Sequence, residues 1–268
     1  MLYGTGADDS IHPSSLDSIT GVEQTMFHAG RITRRYAASP TVMVLELEVP
    51  SLSTFDPGQW LDFVVPPNQW VGGFSIASCP KKLPTIDIAV KRSSHPPAAW
   101  VHQHSAIDMP VEVRVGGSCI LQDKAETRPA VFCAGGIGIS PILGQYRELQ
   151  SRRLFAKTKL PTDFLYSVPT QDELVFGDEL LELVSKDTDG LDKLTLSLTK
   201  QSEWENLETK DHPNVEFKTG RLLQSFLDNA PIDAVFYLCG PPAMLDDSVD
   251  QLVKRGIASS DIQCERWW

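Results

Sequence analysis

Hydrophobic and polar positions change rhythm twice along the chain. Residues 1–20 are polar, rich in Ser and Asp, and carry no periodicity. Residues 1–21 therefore read as a disordered or loosely attached arm. From Glu23 onward, β-branched and aromatic residues recur with partial alternation over 25–36, 41–49 and 59–65, and again over 74–77, 85–91 and 111–115. Ser39-Pro40, Pro50 and Pro57-Gly58 punctuate these runs. Six short strands separated by turn signals predict a small antiparallel β-barrel over residues 22–122. One helix interrupts it at 98–104, with Pro96 and Pro97 at its start, where a missing N–H leaves no donor unsatisfied.

After Leu121 a polar stretch, 122–129, reads as a linker. The rhythm then becomes one of strands alternating with helices. Strand 130–134 leads to helix 140–152, strand 163–167 to helix 172–185, and strand 193–199, through a long acidic loop, to helix 220–229. Strand 234–238 leads to helix 242–255, and 262–264 reads as a last strand. This alternation predicts an α/β doubly wound parallel sheet over 123–268, with helices on both faces. The predicted fold class is thus two-domain, a β-barrel followed by an α/β nucleotide-binding domain.

The turn after the first α/β strand carries chemistry. Gly135, Gly136 and Gly138 place no side chain in the turn, and Ser140 and Pro141 open the helix behind it. Backbone N–H groups and the positive end of a helix dipole then face an incoming anion. Pro141 stands where the third glycine of a dinucleotide fingerprint would be, so by itself the segment is equally a tight strand-to-helix turn.

The chain has 268 residues and a net charge of -11, with 24 basic against 35 acidic residues. That balance argues against a nucleic-acid partner. No apolar run reaches the roughly 20 residues of a membrane span. Cys79, Cys119, Cys133, Cys239 and Cys264 are scattered and never form a C-x-x-C pair. They imply reduced intracellular thiols, with no disulfide framework, metal site or iron–sulfur cluster. The first twenty residues contain Asp8, Asp9 and Asp17 and no Arg or Lys. That is the wrong charge for a mitochondrial transit peptide, and the cytoplasm is expected unless a longer precursor carries a leader.

Four motifs resemble those of the ferredoxin–NADP⁺ reductase-like superfamily, in order and spacing, across residues 22–268. They are Pro57-Gly58-Gln59-Trp60, Phe74-Ser75-Ile76-Ala77-Ser78, the glycine turn through Pro141, and Cys239-Gly240-Pro241-Pro242-Ala243-Met244. A narrower resemblance, to the oxidoreductase NAD-binding domain-containing protein family, rests on four further segments. These are Val71-Gly72-Gly73-Phe74-Ser75, His95-Pro96-Pro97-Ala98, Val113-Arg114-Val115-Gly116-Gly117 and the terminal Glu265-Arg266-Trp267-Trp268. That family is often placed in mitochondria.

The resemblance implies a flavin-dependent oxidoreductase that moves hydride from NAD(P)H to a flavin and electrons to an external acceptor, a small molecule or a redox protein. FAD is the commoner choice of the superfamily and FMN the alternative. Ser75 matches the serine near flavin N5, and Cys239 the residue beside the reacting nicotinamide carbon; these two are the catalytic candidates. Gly73, Phe74 and Ile76 accompany Ser75 on the flavin strand. Gly135, Gly136, Gly138, Ser140 and Pro141 match the nicotinamide-nucleotide loop, and Gly240 and Pro241 the loop beneath it. One of Trp267 and Trp268 is expected to cover the flavin, with Glu265 anchoring the segment.

Three positions depart from the superfamily. Phe74 replaces Tyr, and Gly72 replaces the phosphate-binding Arg, a loss on the order of 1.5–3 kcal/mol of phosphate binding. Ala98 replaces a Ser or Thr at the start of the phosphate helix. Backbone N–H groups at that helix and the nearby Lys91 and Arg92 are the remaining phosphate partners. A barrel that has lost its flavin, and a non-catalytic nucleotide-binding module, are the corresponding alternatives. After the second α/β strand, residues 167–173 carry no base, and Lys200 is the nearest candidate. A 2′-phosphate needs Arg or Lys there, so NADH is favoured over NADPH.

Overall fold

A computed structural model describes residues 26–66, 69–187, 189–205 and 213–267; the predicted arm and Trp268 lie outside the described residues. Strands β1 (His28–Ala37), β2 (Val42–Glu48), β3 (Trp60–Val65), β4 (Trp70–Ser75), β5 (Thr85–Lys91) and β6 (Pro110–Gly116) form an antiparallel sheet in the order β4-β3-β6-β1-β2-β5. An Ile76–Ile88 bridge joins its two ends into a barrel. Alternation along β3 buries Leu61, Phe63 and Val65 and leaves Trp60, Asp62 and Val64 partly exposed, as a strand with one face to a core requires. Helix α1 (Pro96–Gln103) packs Ala98, Trp100 and Val101 into that core.

The second sheet is parallel throughout. It contains β7 (Ala130–Gly135), β8 (Thr162–Val168), β9 (Asp192–Leu198), β10 (Val215–Thr219), β11 (Val235–Cys239) and β12 (Ile262–Glu265), in the order β10-β9-β8-β7-β11-β12. Helices α2 (Ile139–Ala156), α3 (Gly177–Ser185), α4 (Leu223–Asn229) and α5 (Pro242–Lys254) connect its strands. β7 is buried at every position, as the centre of a doubly covered sheet must be. Two predictions need correction. β10 falls where the sequence reads as loop; it is an edge strand that buries only the Val215 and Phe217 side, so its apolar signal is thin. Helix α3 starts at Gly177 rather than 172, because 171–173 form a separate turn.

The two sheets are joined through α2. Gly144 lies against the carbonyls of Ile76 and Ser78, where a Cβ would approach both to 3.1 Å. Gln145 donates to the Cys119 carbonyl at 2.9 Å, and Arg147 to that of Ala77. Across the junction Glu173 accepts from Ser39 and Thr41 at 2.9 and 2.7 Å. The predicted linker is pinned as well. The buried Arg153 donates to the carbonyls of Ala125, Arg128 and Leu160.

Candidate functional site

Residues from distant stretches meet at this junction. Trp60 pairs with Ser75 and Asp62 with Gly73. Cross-strand partners share a face and side chains alternate along a strand. Trp60, Asp62, Gly73 and Ser75 therefore lie on one face of the barrel sheet, and Leu61, Phe63, Gly72 and Phe74 on the other.

The C-terminal segment covers the first face. Trp267 stands on Gly73, where a Cβ would lie 2.6 Å from Cζ3 and 2.9 Å from Cη2 of the indole. Its ring meets Trp60 edge to face, with centroids 5.8 Å apart. Trp60 is itself seated on Gly116 and Gly117, where added Cβ atoms would come within 2.8 and 2.7 Å of its ring. The Trp267 Nε1 is buried and has no hydrogen-bond partner. Ser75 is 7% exposed, and its hydroxyl bonds to no other described residue.

Cys239 at the end of β11 is the register partner of Glu265 at the end of β12. Burial pushes the Cys239 thiol far above its ordinary range, with the Glu265 charge adding to the effect, so it stays protonated. Burial also raises the Glu265 carboxyl to about 7, opposed by a hydrogen bond from the Cys119 thiol.

The glycine turn divides its labour. A Cβ at Gly138 would lie 2.3 Å from the Cys239 carbonyl. One at Gly135 would meet Met244 Sδ at 2.6 Å and Pro241 Cδ at 2.7 Å, and one at Gly240 would meet Met244 Sδ at 2.7 Å. These three glycines let the 135–138 and 239–244 loops interlock. Gly136 alone of the turn faces open space, at φ +55 with nothing within 4 Å of a Cβ. Ser140 and Pro141 are buried in the first turn of α2, and Ser140 Oγ has no partner.

The other face of β4 turns to the barrel core. The Phe74 ring packs on the barrel core, 6.0 Å from Phe63. It also folds back over Gly72, where a Cβ would lie 3.0 Å from the ring and 2.6 Å from Pro97 Cβ. Ala98 and Ile76 point into the same core. Their side chains are spent on packing, and the Ile76 N–H is bonded to the Gln59 carbonyl at 2.9 Å. Lys91 is exposed at the end of β5.

A model for the oxidoreductase NAD-binding domain matches residues 132–250. The human oxidoreductase NAD-binding domain-containing protein 1 is 34% identical over 253 residues, covering 90% of this chain and 80% of its own length. The chain belongs to the oxidoreductase NAD-binding domain-containing protein 1 family. Solved reductases share the fold of this family member. The cytochrome P450 reductase of Amycolatopsis has a TM-score of 0.75 at 19% identity, over 90% of this chain and 69% of that one. A ferredoxin NADP⁺ reductase from Neisseria gonorrhoeae, with FAD and NADP bound, has a TM-score of 0.70 at 18% identity, over 89% and 98%. The family member is thus an oxidoreductase-type, NAD-binding protein of ferredoxin-reductase fold. Among its described residues no helix is long and apolar enough to cross a membrane.

Sequence reasoning assigned no role in the site to Cys119 or Gly144, and named Trp60 only within a turn motif. Gly144 had a visible signal, a glycine inside a helical pattern, which commonly marks close packing. Cys119 had none, because its contact with Glu265 spans 146 positions of chain.

Proposed function

We propose that the chain is an NAD(P)H-dependent flavin oxidoreductase that passes electrons to an external acceptor, a redox protein or a small molecule. The observation that carries this reading is the convergence of Gly73, Cys239, Glu265 and Trp267 beside the glycine turn, with Ser75 on the same sheet face as Gly73. At the ring end the residues fit a flavin. Gly73 is free of side chain, and Ser75 Oγ and the buried Trp267 Nε1 are donors without partners. A bound flavin supplies the two-electron acceptor, the chemistry that no side chain of this site has.

The chain's own residues bind and orient. Gly136 leaves the turn open to a pyrophosphate, and Gly135, Gly138 and Gly240 hold the two loops in register. Cys239, small and protonated, ends β11 under the site without acting as a nucleophile. The Ser75 hydroxyl is free to donate. The Glu265 carboxyl, near 7, holds a proton within reach of neutral pH. Trp267 stands over Gly73 and shields it from water.

The same reading takes NADH over NADPH. Thr170, Gln171, Asp172, Lys200, Gln201 and Glu205 line an open depression beyond the ends of β8 and β9. Among the described residues its one cation, Lys200, shares the lining with two carboxylates, a poor setting for a 2′-phosphate. A second reading, a non-catalytic nucleotide-binding module, is favoured by the contact between Gly72 and Pro97.

The deciding experiment is a visible absorption spectrum of the protein titrated with FAD, then with NADH without oxygen. Uptake of flavin followed by bleaching supports the reductase. A protein that takes up no flavin overturns it in favour of the module. A lower KM for NADPH than for NADH overturns the nucleotide preference alone.

A further inference from the structure

Flavin nucleotides carry their negative charge on phosphate, and a protein that grips them there needs cations or free N–H groups at that end. Both are scarce here. Gly72 has no side chain and no room for one, closed in by Pro97 Cβ at 2.6 Å and the Phe74 ring at 3.0 Å from an added Cβ. The first two residues of α1, Pro96 and Pro97, have no N–H, and its N-cap residue His95 makes no side-chain capping bond. The Ala99 N–H is already bonded to the His95 carbonyl at 2.9 Å. Ala98 is buried in the barrel core. Among the barrel's cations, Arg31, Lys82 and Arg114 are paired with Glu48, Asp87 and Asp62. Lys91 and Arg92 are free of ion pairs but exposed, where solvent and salt screen their attraction.

The ring end is the opposite case. Trp267 Nε1 is a buried donor with no acceptor, and the hydroxyl of Ser75, a residue only 7% exposed, has no partner among the described residues. Unpartnered buried polar atoms are costly and point to a ligand that satisfies them. A flat heteroaromatic ring edged with carbonyl and imine acceptors does so, and a phosphate does not.

We infer that this chain reads the isoalloxazine ring of its flavin and not the phosphates, so that riboflavin, FMN and FAD are equivalent, exchangeable ligands. The inference rests on the flavin reading above and deepens it. Without a phosphate grip the flavin exchanges with the free pool instead of staying as a resident group. The closing of α1 onto β4 becomes a specificity feature, one that removes discrimination between flavins.

Equilibrium titration separates the possibilities. Quenching of flavin fluorescence by the full chain is measured for riboflavin, FMN and FAD at low and high ionic strength. The expected result is three Kd values within about threefold of one another, unchanged by salt. Ser75→Ala should weaken all three by a common factor, and Lys91→Ala with Arg92→Ala should leave the ratio of FAD to riboflavin at one. FAD or FMN binding more than about tenfold tighter than riboflavin overturns the inference while the flavin reading stands. Loss of FAD binding alone in the double variant overturns it as well. Binding of none of the three flavins overturns the flavin reading itself, and the inference with it.

Discussion

The indole of Trp267 rests directly on the backbone of Gly73, 194 positions earlier in the chain, with Cζ3 only 2.6 Å from where a Cβ would stand. The contact ties the end of the parallel sheet to the edge strand of the barrel. It exists only because residue 73 has no side chain.

Gly73→Ala is therefore expected to push Trp267 away without disturbing the barrel interior, since residue 73 faces outward. Overpacking of this kind costs about 1–3 kcal/mol when the neighbour cannot move, and less when a C-terminal segment yields. Trp emission should shift to the red with a small change in Tm. An unchanged spectrum would mean that the two residues do not meet in solution.

Glu265 sets a pH dependence of stability. Its folded value, about 7, lies above the ordinary 4.5, so the native state holds the proton more tightly than the unfolded chain. Stability from this group is complete below pH 4.5 and falls as pH rises through 7. The loss amounts to about 3 kcal/mol at pH 8, by 1.36 kcal/mol per unit. Glu265→Gln should flatten that slope and raise stability at pH 8, as read from urea unfolding at pH 5 and pH 8. Equal effects at both pH values would contradict the raised carboxyl.

The two glycines of the turn should separate folding from binding. Gly138→Ala places a Cβ 2.3 Å from the Cys239 carbonyl and should destabilise the α/β part by several kcal/mol. Gly136→Ala meets no atom, and its cost is confined to about 1 kcal/mol for a φ of +55. It should nevertheless weaken NADH binding about tenfold or more, because the added methyl stands in the open turn. Calorimetry for Tm and titration for Kd test the contrast together.

Gly144→Val should loosen the barrel from α2. The carbonyls of Ile76 and Ser78 sit 3.1 Å from the new Cβ and belong to backbone held by the barrel, so they cannot swing aside. A fall of about 1–3 kcal/mol is expected. Thermal unfolding should split into two transitions as the sheets lose their coupling. A single sharp transition at the original Tm would remove Gly144 from the interface.

Much of this was legible in one dimension. Strand rhythm gave five of the six barrel strands close to their observed positions, and β4 was placed from its last two residues because Trp70 and Val71 are apolar yet exposed. β10 was missed because an edge strand buries one side only. The glycine turn was legible as a feature but not in its division of roles. Gly135, Gly136 and Gly138 look alike in a sequence, and only the approach of Cys239 and Met244 tells the packed ones from the open one.

The sequence by itself determined the order of barrel and parallel sheet, the position of the glycine turn and the glycine at position 72. These are local matters of side-chain period, turn chemistry and residue identity. The tertiary structure decided the rest: that Gly72 is closed by Pro97, that Phe74 turns to the barrel core, that Glu265 shares a proton environment with Cys119, and that Trp267 covers Gly73. Each of these depends on atoms brought within a few ångströms by packing between segments far apart in the chain. Burial and close approach are properties of that packing, and no period or motif in the sequence encodes them.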